Sequence, residues 1–435
     1  MKIKYKGRKP ISESVLRKAI SKVKKILIPY LLLLYILNYI VKINIGFATL
    51  KMSTTLGLTA EQFGFAAGIY FIGYTFLQIP SNVILNKIGA RICISVILLM
   101  VGLISGLTGF VNNANSLYIL RFLLGLAQAG FFPGVILYLT YWFPQREFAH
   151  AVALFMSALA FSNIIGGPIA GIILNNATWG NLESWRWLFV LEGAPVIFFG
   201  IVTYFILPNK PKHAKFLSQD ERKCLSKKIE LEQEVKLKQT IPKTRLNKKL
   251  LILTLIYLFG PEMGSFAVFF WIPTMIQDLS KKYSIEIVGF LTAIPFLFTA
   301  IAMILVAKSA DKKAEWHYHT QIPLAVSAFA IFVITFSTTP VISIILMSLI
   351  AAGAIASFAP FWALTNKVLT GSETVVGIAI INSIGNLSGF FATYFIGYIK
   401  YHTNNLYYGF DVIGIFIFIS VILIFFLQKE NAGKL

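Results

Sequence analysis

The stretch Ile26–Leu50 reads ILIPYLLLLYILNYIVKINIGFATL and is apolar over almost its whole length. Roughly 20 apolar residues are enough for a helix to cross the hydrocarbon core of a membrane, which is about 30 Å thick. One lysine, Lys42, interrupts the run, with no acidic residue near it in the sequence. Because a buried ammonium group is costly in hydrocarbon, we expect Lys42 to face a wet cavity or a bound ligand.

The rest of the chain repeats this apolar pattern. Of its 435 residues, 57% are hydrophobic and 13% are charged, whereas a soluble chain carries about 25% charged residues. Apolar stretches of similar length recur along nearly the whole sequence. The chain is therefore expected to be an all-α polytopic membrane protein, and a water-soluble enzyme is excluded.

Apolar runs between polar breaks predict twelve transmembrane helices in two pseudo-symmetric halves of six. The predicted helices lie near 26–50, 61–84, 92–111, 116–141, 148–174, 186–207, 248–277, 286–308, 320–337, 341–369, 373–399 and 407–428. The predicted division of the chain is a basic segment 1–25, a first half 26–207, a charged central loop 208–247 and a second half with a short tail 248–435. The middle of the central loop is predicted to form a surface helix.

The positive charge is concentrated in two segments. The formal net charge is +21, and most of it lies in residues 1–25 and 209–249. Such an excess marks the cytoplasmic side of a membrane protein, so both termini are expected to be cytoplasmic. The expected location is a cell membrane, the inner membrane if the source is bacterial. Attraction to anionic lipid headgroups explains the charge better than binding of nucleic acid.

The two halves show weak internal symmetry. The loop after the second predicted helix reads LNKIGAR, and the loop after the eighth reads AKSADKK. Two ordinary cytoplasmic loops would explain the charges but not their matching positions. We favour an internal repeat, which is how transporters build a central site that is reachable from either side.

Several motifs together resemble one family of transporters. They are NIGFA (44–48), FIGYTFLQIPSNVIL (71–85), RFLLGLAQAGFFPG (121–134), YLTYWFP and AVALFMS further on, WRWLFVLEGAP (185–195) and GIAIINSIGNLSGFF (377–391). On these motifs the chain resembles the major facilitator superfamily, and specifically its anion:cation symporter family, over residues 26–428. The resemblance implies secondary transport of small organic anions such as sugar acids, aromatic acids or dicarboxylates, usually with protons and without ATP.

Three acidic residues typical of that family are absent from the chain. Relatives typically carry an Asp-Arg pair where this sequence has Val41 and Lys42. They often have glutamates where this chain has Gln78 and Gln128. Neither Val nor Gln can change its protonation state, so the family's usual route of proton coupling is in doubt.

Two cations are candidates for binding the anion. Without a neighbouring acid, Lys42 would attract a carboxylate as a compact point charge. Arg121 stands where relatives place a substrate-binding arginine, and its planar fork suits a carboxylate. The alternatives are a structural lysine satisfied by backbone carbonyls and an interfacial arginine at a helix start.

Polar residues on the same or facing helices are further candidates. Tyr39 lies three residues before Lys42 and shares its helical face, while Asn44 lies further around the helix. In the eleventh predicted helix, Asn382 and Asn386 are four residues apart on one face. They would bind substrate hydroxyls or join helices, and both readings stay open. A weaker candidate is Asn163.

One acid stands at an unexpected place. Glu262 lies near the middle of the seventh predicted helix, the repeat partner of the first, so it could face Lys42. Pro261, Gly260 and Gly264 would loosen the helix there, as in broken helices that line cavities. Glu262 is therefore a candidate for proton coupling, against the alternative of a chance acid in a wet vestibule.

The predicted function is alternating-access transport of a small organic anion, with protonation relocated to Glu262. The alternatives are a proton-independent facilitator or exchanger, and a membrane sensor with the same fold. No metal site or cofactor is expected, because His317 and His319 are too few ligands and no phosphate-binding or catalytic motif is present. The protein is expected to act as a monomer among membrane lipids.

Overall fold

The computed structural model describes residues 13–237, 248–279, 282–337, 339–369 and 373–432. These residues are helical almost throughout. The α-helices are α1 (Glu13–Ile43), α2 (Ile45–Leu56), α3 (Ala60–Ile88), α4 (Ala90–Thr108), α5 (Ala114–Gln128), α6 (Phe131–Thr140), α7 (Gln145–Met156), α8 (Ala158–Asn176), α9 (Ser184–Ile206), α10 (Gln219–Leu237), α11 (Lys248–Tyr257), α12 (Met263–Leu279), α13 (Ile285–Lys313), α14 (His317–Ile334), α15 (Pro340–Ala356), α16 (Phe358–Val368), α17 (Glu373–Asn386), α18 (Ser388–Thr403) and α19 (Leu406–Ala432). Short 3₁₀ turns lie at Trp179–Asn181 and Pro211–His213, and a π turn at Leu258–Glu262.

Within the described ranges, all α-helices except α10 assemble into twelve membrane spans. Six spans are continuous helices, which are span 2 (α3), span 3 (α4), span 6 (α9), span 8 (α13), span 9 (α14) and span 12 (α19). Six consist of two helices, which are span 1 (α1 and α2), span 4 (α5 and α6), span 5 (α7 and α8), span 7 (α11 and α12), span 10 (α15 and α16) and span 11 (α17 and α18). Eleven of the twelve meet both the length and the hydropathy of a membrane helix, and the other, α3, has 29 residues. The predicted fold class is confirmed.

The interruptions follow the internal repeat. Spans 1, 4 and 5 of the first half are interrupted, and so are spans 7, 10 and 11, their counterparts six positions later. In span 7 the interruption is a π turn that contains Pro261, a residue that cannot donate a backbone hydrogen bond. The matching interruptions support the repeat that the loop charges indicated.

The first helix begins earlier than predicted. It is already helical at Glu13 and continues without interruption into the span, so residues 13–25 belong to the helix and not to a separate segment. Ala19, Val23 and Leu27 are buried on one face, while lysines on the other side pair with acids. Residues 1–12 lie outside the described part.

The central loop contains the predicted surface helix. That helix is α10, and its Glu221 contacts Lys22 of α1 at 2.8 Å. Lys24 of α1 pairs with Glu147 of α7 at 2.8 Å. Residues 238–247 of the loop lie outside the described part. Because α10 packs on α1, it belongs structurally to the first half.

The two halves meet mainly on one side. We call the side on which α1 begins and α19 ends the terminal face, and the opposite side the far face. The most extensive contacts between the halves join α8 to α13 and α3 to α18. Near the far face, Tyr394 donates a hydrogen bond to Glu61 at 3.0 Å, and Asn175 donates one to Glu286 at 3.2 Å.

Glycines bring the helix backbones together in these contacts. A Cβ atom added to Gly171 would lie 3.0 Å from the Cα atom of Gly289, and one added to Gly64 would lie 3.1 Å from the Cα atom of Gly397. An added Cβ on Gly289 would also overlap the carbonyl oxygen of Gly167. Since no side chain fits between these backbones, the halves are closed against each other near the far face.

Candidate functional site

The ammonium group of Lys42 lies among five aromatic rings, which we call the aromatic cage. Its Nζ atom is 4.7–5.7 Å from the ring centroids of Tyr39, Tyr70, Phe71, Tyr74 and Phe266. Four rings come from the first half, and Phe266 comes from α12 of the second half. Each ring face attracts a cation within about 6 Å of its centroid. The cage therefore stabilises a positive charge at the contact between the halves.

Lys42 owes its position to the end of α1. It lies in the last turn of that helix, before the interruption at Asn44, where the helix dipole favours a positive charge. Because span 1 continues to Leu56, Lys42 lies about 21 Å from its far end at 1.5 Å per residue. It is thus further from the end of the span than the prediction from an end at residue 50 placed it.

Arg121 is buried beside Lys42. Its side chain is 1% exposed, and its Nη2 atom donates a hydrogen bond to the carbonyl oxygen of Lys42 at 3.3 Å. The Nε and Nη1 atoms have no hydrogen-bond partner. A buried guanidinium with two free donors is an incomplete arrangement, which a carboxylate ligand would complete.

The two cations lie close enough to repel each other. Within the described residues, neither forms an ion pair with an acid. Desolvation and like-charge repulsion both oppose this arrangement. An anion bound between the two groups would relieve both costs.

Gln128 fixes the surroundings of the cage. Its amide nitrogen donates to the carbonyl oxygen of Asn38 at 2.6 Å, and its amide oxygen accepts a hydrogen bond from Tyr70. These two hydrogen bonds therefore connect span 4 to span 1 and to span 2. Val41 and Gln78, the other two altered family positions, are 1% and 6% exposed.

Glu262 ends the π turn of span 7 and is 7% exposed. Tyr257 donates a hydrogen bond to its Oε1 atom at 2.6 Å. One helical turn later, Phe266 contributes a ring to the aromatic cage. The charges of Glu262 and Lys42 act on each other without direct ion pairing, so the acid of the second half lies within electrostatic reach of the cation of the first.

The asparagine candidates do not gather around Lys42. The Nδ2 atom of Asn163 donates to the carbonyl oxygen of Leu159 at 2.8 Å, and that of Asn386 donates to the carbonyl oxygen of Asn382 at 2.8 Å. These bonds lie within single helices. A role of Asn163, Asn382 or Asn386 in binding substrate stays a prediction.

The two histidines lie in a helix and not in a loop, because α14 already begins at His317. His319 is within hydrogen-bonding distance of Glu315 at 2.8 Å and of Ser309 at 2.9 Å. In the part of the chain that the structure describes, no group of three or more His, Cys, Asp or Glu residues could hold a metal ion.

One buried acid escaped the sequence analysis. Glu192 lies within WRWLFVLEGAP, at 6% exposure on α9. Its carboxyl group lies beside the amide of Asn44, yet none of the four polar atoms of this pair forms a hydrogen bond of ordinary geometry. An isolated acid in an otherwise apolar run was the available signal, and the surrounding family motif concealed it.

Comparisons with known proteins agree with this architecture. Residues 31–393 match the model of the Major Facilitator Superfamily. A "Putative tartrate transporter" of Agrobacterium vitis is 38% identical, with 94% of this chain and 95% of that protein covered. The "Putative metabolite transport protein NicT" of Pseudomonas putida is 36% identical, with 85% of each chain covered. A bacterial homologue of the human lysosomal transporter Spinster, in an inward-facing and occupied conformation, has a TM-score of 0.77 at 13% identity, with 93% of this chain and 96% of that chain covered. The chain therefore belongs to the major facilitator superfamily and is a multi-pass membrane transport protein, not an enzyme.

Proposed function

We propose that this protein carries small organic carboxylates across a cell membrane, with Lys42 and Arg121 as the groups that bind the anion. The observation that carries the proposal is the burial of two cations side by side, neither of them ion-paired with an acid among the described residues. Two positive charges suit a dicarboxylate, and the relative named for tartrate supports that class.

The aromatic cage sets the shape of the bound anion. A carboxylate that contacts Lys42 would lie beside Tyr39 of span 1 and Phe266 of span 7, since both rings lie near the ammonium group. The anion would therefore touch both halves of the protein. A ligand that bridges the halves can favour one arrangement of them over another, which is the basis of alternating access.

The proposed orientation places the terminal face in the cytoplasm. The lysine-rich start of α1 and the charged region around α10 both lie on that face, as the distribution of positive charge in membrane proteins requires. Closure near the far face then means that the halves are closed towards the outside of the cell. We propose that the protein works as a monomer, with lipid around its exposed apolar side chains.

Glu262 is the proposed site of proton coupling. It faces the same region as Lys42 but belongs to the other half, so a bound anion would weaken the attraction between the two charges. A proton on Glu262 would then replace the lost stabilisation. Anion binding and protonation would favour each other, as symport requires.

The proposal of anion transport is tested in proteoliposomes with labelled tartrate, sugar acids and aromatic monocarboxylates. We expect accumulation or counterflow of at least one carboxylate, and no binding of its neutral amide. Binding without movement would indicate a sensor. Equal binding of the acid and its amide would contradict the assignment of an anion site.

Coupling is tested by replacing Glu262 with glutamine. We expect Glu262→Gln to abolish uptake driven by a pH gradient while counterflow without a gradient persists, because glutamine resembles the protonated acid but cannot release a proton. Asp311→Asn, at an exposed position of α13, is the matched control and should leave both activities unchanged.

The result for Glu262 separates the alternatives. Unchanged pH-driven uptake in Glu262→Gln would eliminate Glu262 as the coupling group. Absence of pH-driven uptake in the parent, together with intact counterflow, would establish a facilitator or an anion exchanger.

A further inference from the structure

Glu192 is an acid for which the proposed function has no role. It is 6% exposed and lies about 12 Å into α9 from Ser184, at 1.5 Å per residue. Neither carboxyl oxygen has a hydrogen-bond partner of ordinary geometry. An ionised carboxylate without partners is strongly disfavoured in such an environment, so the ionisation state of Glu192 needs an explanation.

No charged group of the neighbouring helices neutralises it. Helix α9 packs against α1, α2, α4 and α8, and α8 contains no titratable residue. The titratable groups that the other three helices present near the inner part of the bundle are Tyr30, Tyr35, Tyr39, Lys42, Lys51, Arg91 and Cys93. None of these is hydrogen-bonded to or ion-paired with Glu192; Tyr30 bonds to Thr203, and Lys51 bonds to the carbonyl oxygen of Leu174.

Its neighbour Asn44 is complementary to the protonated acid. A neutral carboxylic acid has one O–H donor and one carbonyl acceptor, and an amide has an acceptor and donors. The two groups can therefore form a pair of hydrogen bonds that satisfies both oxygens of Glu192 and both polar atoms of Asn44. The ionised acid can only accept, so it leaves the amide oxygen of Asn44 without a donor.

Asn44 connects this acid to the anion site. It is the residue between α1 and α2, two positions after Lys42, whose carbonyl oxygen accepts a hydrogen bond from Arg121. Two positions further on, a Cβ atom added to Gly46 would lie 2.8 Å from the carbonyl oxygen of Phe270 in the other half. Asn44 therefore lies in the same short stretch of span 1 as Lys42 and as a backbone contact between the halves.

We propose that Glu192, paired with Asn44 at the interruption of span 1, is a second proton-binding site that loads one proton from water in each transport cycle. The proposal rests on anion transport as proposed above. Two cations match the two charges of a dicarboxylate, and two protons, on Glu192 and Glu262, make its transport electrically neutral. A proton needs only an oxygen that carries it and an acceptor for its hydrogen bond, and Glu192 and Asn44 supply both. A metal cation needs more oxygen ligands than these two side chains offer.

The test that does not depend on transport is infrared spectroscopy of the purified protein in lipid nanodiscs. The carbonyl stretch of a protonated carboxyl group is followed over a pH titration in the parent, Glu192→Gln, Glu262→Gln and the Asp311→Asn control. We expect one titrating band to disappear in Glu192→Gln and to persist in the other two variants. The proposal would be overturned if the parent showed no such band, or if the band did not titrate. It would also be overturned if every titrating band of the parent persisted in Glu192→Gln.

The second measurement counts protons per transported dicarboxylate in proteoliposomes. Glu192→Gln can pair with Asn44 as the neutral acid does, so we expect counterflow to persist and the ratio of protons to anions to fall by one. An unchanged ratio would refute the second site, as would a requirement for sodium at constant pH. Absence of transport in the parent would instead contradict the proposed function. The infrared titration would still show whether Glu192 binds and releases a proton.

Discussion

At the scale of single residues, the site is defined by charges that lack their usual partners. Lys42 has aromatic rings in place of an acid, and Arg121 has two unused donors. Glu262 has a tyrosine hydroxyl as its partner, and Glu192 has an amide. Each of these groups is buried at a cost that a ligand or a proton would reduce.

Removal of either cation should weaken anion binding. Lys42→Gln and Arg121→Gln are each expected to cost about 2 to 5 kcal/mol, the range measured when one partner of a desolvated charge pair is removed. Calorimetric titration with the transported carboxylate measures the effect. Lys87→Gln, at an exposed position of α3, is the matched control. Binding within a factor of two of the parent in both site variants would contradict the assignment.

Tyr257 should act on coupling through Glu262. Tyr257→Phe removes the hydrogen bond to Oε1 but keeps the ring that stacks on Phe361 at 4.9 Å. Because that bond stabilises the ionised acid, we expect pH-driven uptake to shift its midpoint towards higher pH, with anion affinity unchanged at acidic pH, where the acid is protonated in both proteins. The pH profile of uptake measures the shift, and an unmoved midpoint would show that the bond has no part in coupling.

Sequence reasoning reached some of these residues and not others. The cations and Glu262 could be predicted because a charge in an apolar run is conspicuous. The aromatic rings from α3 could not, since their contact with Lys42 depends on how spans 1 and 2 face each other. The position of Asn44 beside Glu192 could not be predicted either, since it depends on how spans 1 and 6 face each other.

At the scale of elements, the interrupted spans and the docked helix α10 set what can move. The site residues Lys42, Arg121 and Glu262 all lie on interrupted spans. The twelve spans themselves were predictable from hydropathy, because length and apolarity decide membrane insertion. The start of α1 at Glu13 was not predictable, because lysines such as those that follow it are typical of a cytoplasmic loop as well as of an exposed helical face.

Helix α10 should be released when its ion pair is broken. The ammonium of Lys22 beside Glu221 holds the pKa of that carboxyl group below its usual value. A lowered pKa means that the contact stabilises docking at neutral pH and is lost as the pH falls through the lowered value. We expect Glu221→Gln to reproduce the loss at neutral pH.

Hydrogen–deuterium exchange measures this release. Residues 219–237 should exchange several-fold faster in Glu221→Gln than in the parent, with α4 unchanged. Glu230→Gln is the control, because its pair with Lys212 is 55% and 61% exposed at the two side chains and contributes little. Equal protection of α10 in the parent and in Glu221→Gln would show that other contacts hold the helix.

At the scale of the whole molecule, backbone contacts between glycines hold the halves together near the far face. A single methyl group is too large for this interface, since an added Cβ atom on Gly289 would lie 2.9 Å from the Cα atom of Gly171. Gly289→Ala should therefore favour the conformation that is open on the far face. Gly106→Ala is the matched control, because an added Cβ atom there meets nothing within 4 Å.

Thiol labelling measures the opening. The chain has only two cysteines, so a single cysteine can be placed at Glu61 in a cysteine-free background. We expect its labelling by a membrane-impermeant reagent from the far side to rise several-fold in Gly289→Ala and to stay at the parent rate in Gly106→Ala. Equal rates in both variants would show that the helices adjust to the methyl group without parting.

The charges of the buried site also decide how the transporter responds to membrane voltage. An elementary charge that crosses a potential of 100 mV gains or loses about 2.3 kcal/mol, and a charge that crosses part of the field a proportional share. With a dianion and two protons bound, the charges of Lys42 and Arg121 are balanced by the anion, and after all three have left they are balanced by the carboxylates of Glu192 and Glu262. The site therefore carries no net charge in either the loaded or the return step, so that the concentration gradients of the anion and the proton, and not the electrical potential of the membrane, drive turnover.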